Sequence, residues 1–432
     1  MAEQLRNPRG TRDYYAQEQQ LRKYIRQTLE KVFEQYGYEE AETPVLNYYE
    51  TLAQKYTGGA EILKEVYRLS DQGERQLALR YDLTIPFARL VGTNPQLSSF
   101  YRRYEIGKVF RDGPVKAGRL REFTQCDVDM VGVKSIVAEA ELMAMAVDVI
   151  QRLDLEVVIN YNHRQLLENI LKEAGIKADC YSEVILSLDK LDKIGQTAVA
   201  EELNQKGFTY PVIESIFARL NQVALDNRVE ITGSEELQEL QSYLKSLGIE
   251  ENTQFNPALA RGLDIYTGTV FEVFLKNSSI TSSIASGGRY DRIIGNFLGD
   301  ETDYPAVGMS FGLDVIFQAL LEQGAAGQTN IDVFIIPLDT GVEALKLAQA
   351  LREKQVRVLV EMKERKLKRS LDYANKNLIP YVIVLGSQEV ETGSISLKNM
   401  LTGADTTLFI QELTSNPPAF LKLEGVKPLK RC

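Results

Sequence analysis

The chain of 432 residues carries 50 Lys and Arg against 60 Asp and Glu, a net charge of −10, with 44% hydrophobic and 25% charged residues; this is an ordinary globular composition with room for two to four domains, and it excludes a protein coated in basic surface. The longest apolar runs, such as 356–360 and 381–385, are strand-sized, far below the roughly 20 residues of a membrane helix, and Met1-Ala2-Glu3-Gln4 lacks the basic start and apolar stretch of a signal peptide. The three cysteines, Cys126, Cys180 and Cys432, are too far apart for a disulfide framework or a zinc knuckle, so a reducing compartment, the cytoplasm, is expected and no membrane association.

Leu21, Tyr24, Ile25, Leu29, Val32, Phe33 and Tyr36 recur at helical spacing, and Gly37 stands at the C-cap position, which predicts an amphipathic opening helix. Residues 42–46 read as a short extended segment that Pro44 assigns to a sheet edge or an interface. Strand-like runs follow, among them 78–80 and 108–111. A second helix is predicted over about 136–153 and a β-rich run over 155–160. From about 165 to 248 the pattern turns helical, with frequent Lys and Glu and few aromatics. Strand character returns at 269–275 and 308–311, the latter leading into a helix that ends near Leu321. The separated strand-rich parts are expected to share one sheet, with the helical stretch inserted between them.

Residues 322–330 have linker composition. Beyond them the pattern alternates: strand 331–337, helix 342–353, strand 356–360, helix 367–374, strand 381–385. That alternation predicts βαβ crossovers and a small parallel or mixed α/β domain. Residues 329–432 hold 15 Lys and Arg against 12 Asp and Glu, so the acidity lies in the rest of the chain and the C-terminal part is expected to have a different partner.

A single histidine, His163, means that a Ser-His-Asp triad, an HExxH zinc site or a histidine relay would have to pass through that residue. Chemistry is therefore expected from carboxylates, arginines and tyrosines. Three segments crowd such residues among glycines. In the first, 110–129, alternation puts Arg121, Phe123, Gln125, Asp127 and Asp129 on one strand face, either lining a polar pocket or forming a solvated hairpin. In the second, 259–272, Gly262 and Gly268 let backbone approach a ligand near Arg261 and Tyr266, or else form a bulge entering a strand. In the third, Gly287-Gly288 beside Arg289 suggests an anion-binding turn, on weak grounds.

Taken together, Arg80-Tyr81-Asp82-Leu83-Thr84, the 110–129 hairpin, the run from Ala260 to Gly268 and Ser286-Gly287-Gly288-Arg289-Tyr290-Asp291 resemble the histidyl-tRNA synthetase family in order and spacing. The start at Pro8-Arg9-Gly10-Thr11-Arg12-Asp13 and the Glu42-Thr43-Pro44 segment are similar to its N-terminus and its dimer-forming motif 1. The resemblance covers nearly the whole chain. It implies an α+β catalytic domain with an antiparallel sheet of the class II synthetase type (1–164 plus 250–321), a helical insertion (165–249) and a C-terminal α/β anticodon-binding domain (330–432), working as a homodimer. It implies ATP-dependent activation of histidine followed by transfer to tRNA(His).

Residue roles carried over by the resemblance are these. Arg111 would hold the α-phosphate, and Arg261 would clamp the histidine carboxylate opposite it. Asp82 and Thr84, with Leu83 between them, and Gln125 would receive the amino group. Asp129, Ile265, Tyr266 and Tyr290 would line the imidazole pocket. Arg119 and Arg121 would approach ATP, whose phosphates would carry Mg²⁺ with no metal site on the protein.

Three positions depart from the family pattern. Val315 follows Gly312-Leu313-Asp314 where the third motif usually ends in arginine, Gly113 stands where a glutamate usually meets adenine, and Ile265 precedes Tyr266 where two tyrosines are usual. A relative that has lost catalysis, the histidine-binding regulatory subunit of ATP phosphoribosyltransferase, is the alternative reading. The C-terminal unit from Ile331 onward, with its basic run at 363–369, speaks against it, though that run alone reads equally as a solvated helix face.

Overall fold

The computed structural model describes residues 5–53, 61–115, 119–226, 235–260, 265–300, 302–327, 329–363, 365–421 and 429–430. The chain divides into two compact units, residues 1–12 with 25–319 and residues 13–24 with 320–432.

The predicted opening helix is α1 (Ala16–Gln35), with Ile25, Leu29, Val32 and Phe33 fully buried. Gly37 follows it at φ +77°, a conformation that spares only glycine a steric cost. The strands β1 (Glu39–Glu40) and β2 (Leu46–Tyr48), the helix α2 (Tyr49–Ala53), and the strands β3 (Arg68–Ser70) and β4 (Gln76–Leu79) come next. A three-stranded antiparallel sheet forms in the order β2-β4-β3, so the segment after Pro44 does end at a sheet edge. After α3 (Thr84–Thr93), the ten-residue strands β5 (Tyr101–Phe110) and β6 (Glu122–Val131) form a long hairpin, followed by α4 (Val137–Arg152) and β7 (Val157–His163). The helical stretch comprises α5 (Arg164–Glu173), α6 (Tyr181–Leu188), α7 (Leu191–Gln205), α8 (Tyr210–Asp226) and α9 (Glu235–Ser246). The sheet then resumes with β8 (Thr253–Phe255), β9 (Thr269–Leu275), β10 (Ala285–Arg289), the short helix α10 (Ile293–Leu298), β11 (Ala306–Gly312) and the helix α11 (Leu313–Glu322).

Strands on both sides of the helical stretch share one eight-stranded sheet, in the order β1-β5-β6-β11-β10-β9-β7-β8. Its six central strands are antiparallel, as the resemblance implied; β1 and β8 add a short parallel pairing at each edge. β7 pairs directly with β9, so the helices α5–α9 leave and re-enter the sheet at adjacent strands.

In the second unit β12 (Ala325–Ala326), within the expected linker, pairs with β18 (Leu429–Lys430). Between them run β13 (Val333–Pro337), α12 (Gly341–Glu353), β14 (Val358–Val360), α13 (Leu367–Lys376), β15 (Tyr381–Leu385), α14 (Ser387–Thr392), β16 (Ser394–Asn399), β17 (Asp405–Phe409) and α15 (Ile410–Ser415). The sheet order is β14-β13-β15-β16-β17, parallel over the first three strands and antiparallel over the last two, a mixed sheet. Val333 and Ile335 pack with α12, while Phe334 and Ile336 belong to a separate cluster with Ala374 of α13. The period of two explains why this strand reads as an unbroken apolar run: both faces are covered. Among the described residues no helix is long and apolar enough to cross a membrane.

Candidate active site

A cavity of about 270 Å³ opens on the face of the eight-stranded sheet. Alternation along β6 sends Gln125, Asp127 and Asp129 into it, and β11 supplies Gly308 opposite Asp129 and Ser310 opposite Asp127. Gly308 is glycine for a steric reason: a Cβ there would collide with the Asp129 carboxylate. Tyr81, Asp82 and Thr84 line the cavity from the start of α3, where Asp82 Oδ1 accepts the Ile85 amide at 3.2 Å and so caps the first turn. Ile265, Tyr266 and Tyr290 complete the wall.

The floor is a buried charge network. Arg103 of β5 is 0% exposed and sits across the strand pair from Asp129. Its guanidinium pairs with Asp129 Oδ2 at 2.8 Å and Glu105 Oε2 at 3.3 Å, donates to the Leu83 carbonyl at 3.0 Å, and lies over the Phe87 ring. Glu105 in turn accepts from Arg80 at 2.7 Å and from the Thr43 amide and hydroxyl. The Tyr290 hydroxyl donates to Asp129 Oδ1. Burial raises the carboxyls of both Asp127 and Asp129, opposed by the charge of Arg103; Asp127, also repelled by Asp129, is pushed up to about 8. Gln125 Nε2 donates to Ser310 Oγ at 2.9 Å.

A second cleft of about 370 Å³ adjoins the first, and Arg111, Gln125, Ser286 and Ser310 line both. Arg111 donates to the Tyr81 carbonyl at 3.0 Å and lies 5.1 Å from the centre of the Phe123 ring. Phe123, Arg119, Gly312, Asp314 and Val315 belong to the second cleft alone. Asp314 Oδ2 accepts the Thr124 amide at 2.8 Å, which fastens α11 to β6. At Gly113 a Cβ would stand 2.7 Å from Glu65 Oε1, and the same Glu65 carboxylate binds Arg119 at 2.8 Å. A carboxylate from another segment therefore occupies the space beside residue 113. Among the described residues no group of three or more His, Cys, Asp or Glu is arranged to hold a metal ion.

Of the residues singled out from the sequence, Asp82, Thr84, Arg111, Gln125, Asp129, Ile265, Tyr266 and Tyr290 line the first cavity, and Arg111 and Arg119 line the second. Leu83 is buried and contributes only its carbonyl, to Arg103. Arg121 lies on neither wall; it binds Asp112 at 3.1 Å and the Gly113 carbonyl at 3.3 Å within the hairpin. Arg261 and Gly262 lie outside the described residues, as does the loop 116–118.

One glycine reading is corrected. Gly287 and Gly288 form no anion-binding turn but lie in β10, where a Cβ at either would strike a neighbouring strand's carbonyl. Arg289 turns from them into a buried pair with Glu139, at 2.7 Å on both carboxylate oxygens. Gly268 immediately precedes β9, in keeping with the alternative of a glycine entering a strand, and the Arg289 side chain lies 3.1 Å from its virtual Cβ. Sequence reasoning missed the part played by Arg103. The signal was available: an arginine and a glutamate two apart in a strand need buried partners, and the hairpin register places Asp129 and Asp127 opposite them.

An antiparallel sheet with this polar cavity on one face, in a chain that also carries a mixed α/β unit, has the class II synthetase architecture. A family model described as histidyl-tRNA synthetase matches residues 10–316, and one described as an anticodon binding domain matches 332–416. Histidine–tRNA ligase 1 of Bacillus cereus is 52% identical over 422 residues, covering 95% of this chain and 99% of that protein. The chain belongs to the histidyl-tRNA synthetase family. The crystal structure of histidyl-tRNA synthetase from Nostoc sp. PCC 7120 matches with a TM-score of 0.82 at 27% identity, over 96% of this chain and 98% of that one. A structure described as an ATP phosphoribosyltransferase regulatory subunit/histidyl-tRNA synthetase from Bacillus halodurans C matches with a TM-score of 0.73 at 22% identity, over 89% and 98%, a likeness of fold alone.

Proposed function

We infer that this protein is a histidine–tRNA ligase: it activates histidine with ATP and passes the histidyl group to tRNA(His). The observation that carries the reading is the pair of adjoining cavities sharing Arg111 and Gln125. An amino acid in the first and a nucleotide in the second would meet at that junction. The high identity to a curated ligase over nearly the full length supports the same reading, whereas the regulatory protein shares only the fold.

In this reading the histidine carboxylate attacks the α-phosphorus of ATP, pyrophosphate leaves, and histidyl-adenylate forms. The 3′-terminal hydroxyl of tRNA then attacks the carbonyl and AMP leaves. Arg111, fixed by the Tyr81 carbonyl and the Phe123 ring, stabilises charge on the phosphorus centre as it becomes five-coordinate. Arg261 clamps carboxylate and phosphate from the opposite side. Asp82 and Thr84, assisted by Gln125, serve the amino group, and Asp129 and Tyr266 the imidazole. Tyr290 and Arg103 hold Asp129 in place. Phe123 offers a flat face to the adenine. With valine at 315, the described cations lining the nucleotide cleft are Arg111 and Arg119, so Arg119, exchanging Glu65 for phosphate, serves the outer phosphates; Arg121 supports the hairpin behind it. Mg²⁺ would arrive with ATP and shield its phosphate charge; with no metal-holding carboxylate cluster among the described residues, the phosphates themselves would hold it.

The working parts of the chain in this proposal are the catalytic domain (1–164 with 250–321), the helical insertion (165–249) and the anticodon-binding domain (330–432). Lys363, Lys366, Lys368 and Arg369, exposed around the start of α13, suit contact with the tRNA backbone. The two described cysteines, Cys126 and Cys180, form no disulfide, which agrees with work in the cytoplasm.

The assembly proposed is a homodimer. Leu46 and Tyr48 of β2, Leu77 and Leu79 of β4 and Leu69 of β3 share one face of the three-stranded sheet by register. Leu46, Tyr48 and Leu69 are 48%, 49% and 43% exposed, an apolar patch suited to a second copy.

The test is histidine-dependent ATP–pyrophosphate exchange by the purified protein. Exchange is expected with wild type and lost, with the fold intact by circular dichroism, in Arg261→Ala. Absence of exchange at saturating ATP and histidine would sink the ligase reading.

A further inference from the structure

Along β6 the side chains entering the cavities are Phe123, Gln125, Asp127 and Asp129, each pair of steps advancing about 6.7 Å. Phe123 faces only the nucleotide cleft, Gln125 faces both cavities, and Asp127 and Asp129 face only the first. If the carboxylate of histidine reacts at the Arg111–Gln125 junction and its ring reaches Asp129, its α-carbon and amino group fall at the level between them, where Asp127 stands.

Asp127 is 3% exposed, and its Oδ1 has no hydrogen-bond partner. The amide oxygen of Gln125 is likewise buried and unpartnered. Ser310 explains their common orientation: Gln125 Nε2 donates to its Oγ, and its hydroxyl proton goes to Asp127. Two fixed, unsatisfied acceptors thus face one space. At Asp129, Oδ1 accepts from Tyr290, while Oδ2, which has no hydrogen-bond partner either, has its charge met by Arg103 at 2.8 Å. Buried acceptors without partners require a donor, and an ammonium group brings three donors and the positive charge that a buried carboxylate lacks.

We propose that Asp127, together with the amide oxygen of Gln125, receives the α-ammonium group of histidine alongside Asp82 and Thr84. The inference rests on the histidine-activating reading above and assigns a residue which that reading leaves without a role. The titratable and charged groups around Asp127 are Asp129 on its own strand, Arg103 and the directly opposed Glu105 from β5, Asp82 ahead of α3 and Tyr290 beyond β10, with Arg111 lining the same cavity. Burial and the charge of Asp129 raise the Asp127 carboxyl, against the pull of Arg103. A cation held against it favours the carboxylate form.

Calorimetry on the full-length protein tests this with three probes. L-Histidine has both groups, histidinol keeps the ammonium without the carboxylate, and 3-(imidazol-4-yl)propionate keeps the carboxylate and ring without the ammonium. For wild type, histidine should bind roughly 10-fold or more tightly than the propionate. Asp127→Asn should weaken histidine and histidinol roughly 10- to 100-fold and spare the propionate. Wild-type affinity for the propionate equal to that for histidine overturns the proposal even if the variant fails to fold. Unchanged histidine affinity in Asp127→Asn, or equal weakening of all three probes, overturns it as well while leaving the ligase reading intact. A wild-type protein that binds no histidine removes both.

Discussion

Asp129 and Glu105 lie beneath the cavity with the fully buried Arg103 joined to each. Two carboxylates so far from water are tolerable only because one planar guanidinium serves both and still reaches the Leu83 carbonyl. Arg103→Met should therefore cost about 3–5 kcal/mol in urea unfolding at neutral pH. Without Arg103 the Asp129 carboxyl, already raised by burial, would titrate still further above its unfolded value, so the folded state would bind a proton that the unfolded state has released. Stability of the variant should fall as pH rises through that window, and the deficit should be larger at pH 8 than at pH 5.5. An equal deficit at both pH values would show that lost packing, not uncompensated charge, is the cause. As a positioning residue, Arg103 should also raise the KM for histidine more than that for ATP.

At the scale of elements, His163 performs structural work. Its Nδ1 accepts the Gln165 amide at 3.2 Å and caps α5, which leaves the ring proton on Nε2, 2.6 Å from Glu236 Oε2 of α9. One side chain thus starts the helical stretch and ties its last helix back to β7. His163→Ala should be less stable than His163→Asn by about 1 kcal/mol, because asparagine can keep the cap. Both should lose the tie to Glu236, read as faster amide exchange in α9. Equal stability of the two variants would contradict the cap assignment. The elements themselves were legible because their periods are local. The 3.6-residue repeat of α1, the two-residue alternation of β6 and the strand–helix alternation after 330 each lie within a short window of chain. β1, β8, β12 and β18 were not legible, since strands of two or three residues have no period to read and exist only through their partners.

At the scale of the whole molecule, the exposed apolar face of the β2-β4-β3 sheet predicts self-association. Sedimentation equilibrium should give a dimer for wild type, and Leu46→Glu with Leu69→Glu should shift it toward monomer with little change in the fold. A double variant that remains dimeric would place the contact elsewhere.

The sequence by itself determined the family, the succession of elements and several of the residues that line the two cavities, because motifs such as 80–84 and 260–268 are contiguous and their spacing is fixed by the chain. Only the tertiary structure decided which charges face the cavities and which face one another. Arg289 and Arg103 look as available in sequence as Arg111, yet the first is claimed by Glu139 and the second by Asp129 and Glu105. Those pairings depend on strand register and on helices returning from distant parts of the chain, and a charge removed from water takes whichever opposite charge the fold brings within reach.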